Sequence, residues 1–300
     1  MGGDEVKALL VEWSYIGDAL MASPVPKALK SKYEYVDVVC YEDCAEVWEA
    51  NPYVNYIYRT DRHWTSRAKT MNNARFHGYD LVLQTRTSLA TNILMRRIGC
   101  PTLGYNCKWK GLPLSIKIPI MQKASTVGNR VDECLDLLKA IGIEATDREM
   151  IFNLKKRERV SPKFVALHAN TRNTQALRRW PGFASLASVL RRVGYRIFWI
   201  GTKDDAPYIR SIDPNGDIAN TPDLQSLGSF LTRCKFFVCV NSAPMHLARA
   251  LNVPTLALIG GTPASVVCNP TENFQFIEGE GLDMNRIKVG DVLNKLARWM

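Results

Sequence analysis

Short apolar runs alternate with segments of helical periodicity along the whole chain. Apolar runs of strand length predict strands at 7–13, 35–40, 55–59, 79–85, 102–105, 163–168, 196–200, 236–240 and 254–259. Apolar residues that recur every three or four positions predict helices at 17–30, 89–98, 129–141, 183–193, 204–211, 224–233, 244–251 and 287–299. Strands separated by helices indicate βαβ units and parallel sheets, so we expect an α/β fold.

The alternation pauses at a charged segment, Lys-Lys-Arg-Glu-Arg at 155–159, which is the best candidate for a linker. A length of 300 residues fits two domains of ordinary size. We predict two facing, doubly wound Rossmann-like domains at 1–158 and 159–286, with the active site in the cleft between them. A C-terminal helix at 287–300 follows and is able to pack back on the first domain.

Several familiar signatures are absent from the sequence. The turn at 14–18 after the first strand holds a single glycine, which disfavours a nicotinamide dinucleotide. No P-loop, Gly-x-Ser-x-Gly or His-Glu-x-x-His pattern occurs. The eight cysteines form no Cys-x-x-Cys pair, so we interpret them as small buried residues of a reducing compartment, without zinc. Because no apolar run approaches the ~20 residues that cross a bilayer, and the N-terminus is unlike a signal peptide, we expect a cytoplasmic protein.

Positive charge is concentrated in one part of the chain. The net charge is +10, and the stretch 51–130 alone has thirteen lysines and arginines against two aspartates. Such a stretch is expected to attract an anionic partner. Arginines alternate with aromatic residues at its start, and the candidate contacts are Arg59, Arg62, Trp64, Arg67 and Lys69.

Two groups of polar residues follow predicted strands. Asp18 lies in the turn after the first strand, where it is either a helix-capping residue or a general base acting on a hydroxyl. Asn170, Thr171 and Arg178 follow the strand at 163–168. Amide, hydroxyl and guanidinium groups suit a diphosphate, although an ordinary polar loop has the same composition.

The most informative segment is 238–261. An apolar strand there ends at Asn241, and a helix begins within Ser242, Ala243 and Pro244. Proline near the first helical turn gives up no needed hydrogen-bond donor. The free N–H groups of such a turn, together with the helix dipole, form an anion-binding site. His246 lies in the same turn.

Residues 240–263, VNSAPMHLARALNVPTLALIGGTP, strongly resemble the signature DSGPMHLAAALGVPVVALFGPTDP of the bacterial heptosyltransferase family. Three further segments, at 16–30, 79–105 and 165–181, are similar to family segments in the same order. The final helix is also similar, so the resemblance spans nearly the whole chain.

This resemblance implies a glycosyltransferase of the GT-B fold, with the acceptor on the first domain and the donor on the second. It implies inverting transfer from a nucleotide-diphosphate sugar to a hydroxyl, with Asp18 as the catalytic base and no metal or other cofactor. It also implies donor contacts from Asn170, Thr171, Arg178, Gln225, Asn241, Ser242, Ala243 and His246. Asn241, Ala243 and Gln225 stand where the family has Asp, Gly and Glu, which leaves the donor sugar and nucleotide open.

Three hypotheses of function are open at this point. The first is transfer to an anionic glycolipid of the lipopolysaccharide core, the norm of the family, with peripheral contact at the inner face of the membrane. The second is a viral-type DNA-base glycosyltransferase acting on a hydroxylated base, because aromatic residues among arginines suit stacking on bases. The third is a non-catalytic module that binds a sugar nucleotide or nucleic acid, against which Asp18 argues. No stable protein partner is expected.

Overall fold

The computed structural model describes residues 5–106, 113–119, 129–171, 178–267 and 269–300. It divides into two compact units, Met1–Asn153 and Leu154–Met300. The boundary lies five residues before the predicted one, because the predicted linker is bonded to the second unit. The N–H of Lys155 donates to Gln225 Oε1 at 3.0 Å, and the N–H of Glu158 donates to Thr232 Oγ1 at 3.2 Å.

The described part of the first unit contains a parallel sheet in the order β3-β2-β1-β4-β5-β6. Its strands are β1 Lys7–Glu12, β2 Tyr35–Tyr41, β3 Ile57–Thr60, β4 Leu81–Gln84, β5 Thr102–Asn106 and β6 Ile116–Pro119. Its helices are α1 Ile16–Ala22, α2 Pro24–Leu29, α3 Ala45–Glu49, α4 Trp64–Ala74, α5 Leu89–Met95 and α6 Arg130–Asp136. The predicted single helix at 17–30 is two helices, because the backbone of Pro24 has no N–H to continue α1.

The described part of the second unit contains a parallel sheet in the order β12-β11-β10-β7-β8-β9. Its strands are β7 Phe164–His168, β8 Arg196–Trp199, β9 Asp217–Ile218, β10 Phe236–Val240, β11 Thr255–Ile259 and β12 Phe274–Glu278. Its helices are α7 Phe183–Arg192, α8 Ala206–Ile212, α9 Leu224–Arg233, α10 Ala243–Ala250, α11 Ala264–Val267 and α12 Val289–Leu296.

The last helix belongs to the second unit. Val292 and Leu296 of α12 are fully buried in the core of that unit, and α12 contacts α7. The segment predicted at 287–300 falls within the second unit, and its packing on the first domain stays a prediction. Among the described residues, none of the helices is both long and apolar enough to cross a bilayer.

Both sheets follow the same strand order, which positions the candidate site. The central strands β1, β4, β7 and β10 are almost entirely buried, as expected for parallel strands covered on both faces. The strand order reverses between β1 and β4 in the first unit, and between β7 and β10 in the second. Ligands of doubly wound sheets bind at such switch points, beyond the carboxyl ends of the strands.

Candidate active site

Asp18 lies beyond the carboxyl end of β1, in the first turn of α1. Arg86 follows the neighbouring strand β4, and its Nη1 lies 2.6 Å from Asp18 Oδ2. The Asp18 side chain is mostly buried, whereas Arg86 is about half exposed. The first switch point therefore carries a carboxylate that is held in place by an arginine.

A buried network lies next to this ion pair. Glu12, the last residue of β1, and Thr85, which follows β4, are both fully buried. The Thr85 hydroxyl donates to Glu12 Oε2, and Arg130 donates to the carbonyl and hydroxyl oxygens of Thr85 at 2.9 and 3.0 Å. Burial raises the pKa of the Glu12 carboxyl, although the nearby guanidinium of Arg130 opposes the shift.

The predicted acceptor arginines nearest the start of the basic stretch have acidic partners. Arg59 forms ion pairs with Glu42 and Glu49, and Arg62 Nη2 lies 2.8 Å from Asp43 Oδ2. These acids precede the stretch 51–130 in the sequence, so they do not enter its charge. The expected positive excess is partly balanced, because β2 and β3 are adjacent and the acids after β2 meet Arg59 of β3 and Arg62, which follows it.

Aromatic rings cover the guanidinium groups of two arginines at this edge. Arg67 lies over the Trp13 ring at 3.9 Å and donates to Thr91 Oγ1 at 3.2 Å. Burial lowers the pKa of Arg67. Arg62, besides its ion pair, lies over the rings of Tyr41 and Tyr15 at 4.4 and 5.3 Å.

The aromatic cluster at this edge consists of the rings over Arg62 and Arg67, which are Trp13, Tyr15, Tyr41 and Trp64, and part of it faces solvent. Trp64 is 46% exposed and Tyr15, the residue before α1, is 50% exposed. Lys69, on α4, is also exposed. The aromatic cluster therefore offers exposed aromatic faces at the edge of the sheet that carries Asp18. It does not offer a row of unpaired positive charges.

The second switch point lies where β10 leads into α10. Asn241 and Ser242 connect the two, Ala243 begins the helix, and Pro244 occupies its first turn. The Ser242 hydroxyl donates to the carbonyl of Val240 at 3.2 Å and does not cap the helix. The helix thus begins without a side-chain cap. Pro244 has no N–H and the N–H of Met245 donates to the carbonyl of Ser242 at 3.1 Å, so the N–H of Ala243 is the backbone donor that the start of the helix can offer to an anion.

His246, in the first turn of α10, is buried and uncharged. Among the described residues its Nδ1 has no hydrogen-bond partner. Burial, with smaller contributions from Arg249 and Arg178, lowers the pKa of His246 to about 3. His246 therefore contributes a neutral imidazole to this edge.

Arg178 lies beside that imidazole and supplies the positive charge of the second switch point. Its Nη2 donates to Thr262 Oγ1, beyond β11, at 2.9 Å. Burial lowers the pKa of Arg178. Thr171, which follows β7, is buried at the same edge of the sheet.

Two predicted donor residues have clear protein partners. The Asn170 amide donates to Asp205 Oδ1 and accepts from Arg179 Nε at 3.1 Å. The Gln225 amide oxygen accepts the N–H of Lys155 at 3.0 Å. Both side chains have a structural role in this structure, which adds to the donor role implied by the resemblance.

Sequence reasoning did not single out Glu12, Thr85, Arg86, Arg130 or Thr262 as site residues. Thr85 ends the predicted strand at 79–85, Arg86 follows it, and Thr262 comes soon after the predicted strand at 254–259, so their place at a carboxyl edge was an available signal. Their partners depend on which strands are adjacent, which the sequence does not state. Among the described residues, no three His, Cys, Asp or Glu side chains are grouped as metal ligands.

Comparison with known proteins identifies the family. The profile of glycosyltransferase family 9 (heptosyltransferase) matches residues 67–277. Lipopolysaccharide heptosyltransferase 3 of Escherichia coli is 24% identical over 307 residues, which cover 89% of this chain and 88% of that protein. A protein of the same name from strain K12 is 25% identical over 283 residues, with 83% and 80% covered.

Solved structures show the same fold. A glycosyl transferase family 9 protein from Veillonella parvula superposes with a TM-score of 0.83 at 16% identity, covering 100% of this chain and 98% of that one. The E. coli heptosyltransferase WaaC with ADP gives a TM-score of 0.81 at 17% identity, covering 98% and 100%. With the family profile matched over most of its length, the chain belongs to glycosyltransferase family 9, the heptosyltransferase family, and is a glycosyltransferase.

Proposed function

We propose that this protein is an inverting, metal-independent glycosyltransferase that moves a sugar from a nucleotide-diphosphate sugar to a hydroxyl of an anionic glycolipid. The observation that carries the proposal is the different chemistry of the two switch points. One holds the carboxylate of Asp18 beside Arg86, and the other holds the start of α10 beside Arg178. The E. coli relative WaaC, solved with ADP and with ADP-2-deoxy-2-fluoro heptose, supports this class of donor.

The reaction is a single displacement. Asp18 accepts the proton of the acceptor hydroxyl while the hydroxyl oxygen bonds to the anomeric carbon of the donor. The bond from that carbon to the diphosphate oxygen breaks in the same step, so the configuration inverts and the proton stays on Asp18. Arg86 holds Asp18 Oδ2 at 2.6 Å and so fixes the orientation of the carboxylate.

Negative charge that develops on the departing diphosphate needs fixed donors. The N–H of Ala243 at the start of α10, the helix dipole and the guanidinium of Arg178 provide them, together with the Thr262 hydroxyl beside Arg178. The proposed mechanism therefore stabilises the leaving group with dipoles and an arginine, without a divalent ion.

The aromatic cluster favours a sugar-rich acceptor over DNA. Rings of the chain itself already cover Arg62 and Arg67, so their guanidinium faces are not free to stack on bases. Arg62 also has an acidic partner, which weakens its attraction for a row of phosphates. Trp64 and Tyr15 keep exposed aromatic faces that suit the apolar face of a sugar ring.

A second surface of the first unit suits an anionic lipid bilayer. Phe76 is 86% exposed, and the turn that carries it contacts the turn at 96–98. Arg75, Arg96 and Arg97 on these two turns are exposed. We propose that Phe76 inserts among lipid headgroups while these arginines contact phosphates. The acceptor would then be presented by the membrane that the protein touches.

Asp18→Asn tests the catalytic assignment. The amide keeps the size of the side chain but cannot accept the proton, so we expect turnover to fall roughly 100-fold or more. Release of nucleoside diphosphate from a panel of nucleotide sugars, with a phosphorylated glycolipid core as acceptor and with EDTA present, measures it. Asp136→Asn is the matched control, because that surface carboxylate also pairs with a cation.

Full turnover of Asp18→Asn would remove Asp18 from its role, and loss of wild-type activity in EDTA would contradict metal independence.

The same assay tests the DNA hypothesis. Transfer to DNA with a hydroxylated base, and a steep loss of DNA binding with salt at a slope of about 0.7–0.9 per contacted phosphate, would favour it. We expect transfer to the glycolipid and a shallow salt dependence.

A further inference from the structure

A buried network adjoins the Asp18–Arg86 pair, and the proposed mechanism gives it no role. Glu12 and Thr85 are fully buried, and they lie at the ends of neighbouring strands of the first sheet. Arg130 reaches them from the start of α6 and donates twice to Thr85, at 2.9 and 3.0 Å. The Thr85 hydroxyl completes the chain by donating to Glu12 Oε2.

Burying this polar network costs free energy that apolar side chains at the same positions would not cost. Among the described residues, Glu12 Oε1 is buried without a hydrogen-bond partner. An unpartnered buried polar atom is destabilising, and buried ion pairs can often be replaced by apolar side chains without loss of stability. Stability alone therefore does not account for a glutamate and an arginine at these positions.

The position of Thr85 in the chain connects the network to the site. Thr85 is joined by one peptide bond to Arg86, whose Nη1 contacts Asp18 Oδ2 at 2.6 Å. Arg130 binds the carbonyl oxygen of Thr85, which belongs to that same peptide. The backbone from which the Arg86 side chain extends is thereby fixed from two sides, by β1 and by α6.

We infer that Glu12, Thr85 and Arg130 are positioning residues for sugar transfer, holding Arg86 where it orients the Asp18 carboxylate. The inference rests on the proposed function, in which Asp18 is the base. It extends that function, because these three residues touch neither substrate nor reacting atoms and act through Arg86.

Thr85→Val tests the inference. Valine keeps the shape of threonine and removes the hydroxyl that joins Glu12 to Arg130. We expect kcat to fall roughly 10- to 100-fold, the scale expected when a reacting group is misplaced by about 1 Å, while the KM for the donor stays unchanged. A crystal structure of the variant should show a longer distance between Arg86 Nη1 and Asp18 Oδ2 than in the wild type. Thr85→Ser, which restores the hydroxyl, should recover most of the kcat.

Glu133→Ala is the control, because it removes the partner of Arg130 that lies outside the network, at 3.1 Å. It should leave kcat and the Arg86–Asp18 distance as in the wild type. Should Thr85→Val fail to fold, Glu12→Leu, which removes the acceptor of the Thr85 hydroxyl, is expected to give the same fall in kcat and the same longer distance.

Two results would overturn the inference. One is a folded Thr85→Val or Glu12→Leu protein with wild-type kcat. The other is a fall in kcat with Arg86 Nη1 still 2.6 Å from Asp18 Oδ2, because the network would then act by another route. If the wild-type protein transfers no sugar from any donor, the proposed function fails. The crystal structures still decide, in that case, whether the network holds Arg86.

Discussion

The protonation of His246 makes the free energy of unfolding of the second unit depend on pH. Its pKa is lowered from 6.5 to about 3 in the folded chain by burial, with help from two arginines. Below pH 6.5 the unfolded chain therefore binds a proton at this residue that the folded chain does not bind. The free energy of unfolding must then decrease as the pH falls from about 6.5 towards 3, by about 1.4 kcal/mol for each pH unit.

The expected change in the free energy of unfolding is large enough to measure. Between pH 7.5 and pH 4.5 the wild-type protein should lose about 2.7 kcal/mol through this histidine alone. His246→Gln cannot take up the proton, so its stability relative to wild type should improve by about that amount over the same interval. Other titrating groups are common to both proteins and cancel in the difference.

Urea unfolding at a series of pH values measures this difference. Trp180 and Trp199 are fully buried in the second unit, so their fluorescence reports its unfolding. His63→Gln is the control, since His63 is exposed and in the first unit. A difference between wild type and His246→Gln that is the same at pH 4.5 and pH 7.5 would refute the assignment of a buried, neutral His246.

Two further predictions concern binding. Arg178→Ala should weaken binding of nucleoside diphosphate by about 1–3 kcal/mol, or roughly 5- to 150-fold in Kd, and the exposed Arg192→Ala should not; equal Kd values by calorimetry would contradict the donor assignment. Phe76→Ser should weaken binding to phosphatidylglycerol vesicles by roughly 10- to 150-fold, because an apolar side chain worth about 1.5–3 kcal/mol no longer inserts. Val160→Ser, which alters an exposed apolar residue of the second unit, should bind vesicles as the wild type does; equal loss in both would remove Phe76 from a membrane surface.

The sequence predicted the central strands of both sheets because they are short, continuous apolar runs. β10, Phe-Phe-Val-Cys-Val, is buried at every position, and such a run can be recognised without knowing its neighbours. The edge strands β6, β9 and β12 were missed, since they are short or only partly buried. α4 was missed because few of its residues are apolar, with only Met71 and Ala74 buried.

The sequence was enough to predict those site residues that follow a single recognisable strand. It was not enough to predict contacts between residues that follow two different strands. Asp18 and the start of α10 each follow a recognisable strand, so their place at a carboxyl edge could be predicted. The Asp18–Arg86 pair requires that β1 and β4 be neighbours, although 68 residues separate the two side chains in the sequence. The acids that balance Arg59 are near it only because β2 and β3 pair.

The sign of the fixed charge at each switch point gives a physical reason why the proposed reaction uses one switch point for the base and the other for the donor diphosphate. A nucleoside diphosphate carries concentrated negative charge, and the carboxylate of Asp18 would repel it at close range. The start of α10 and Arg178 offer it positive potential, and the imidazole of His246 is neutral, so it adds no negative charge at that edge. In the proposed reaction a base that must meet a hydroxyl is therefore best kept on the other sheet, where Arg86 contacts Asp18 and the exposed rings of Tyr15 and Trp64 would face the acceptor. On this argument, moving the carboxylate to the second edge would weaken donor binding as well as remove the base.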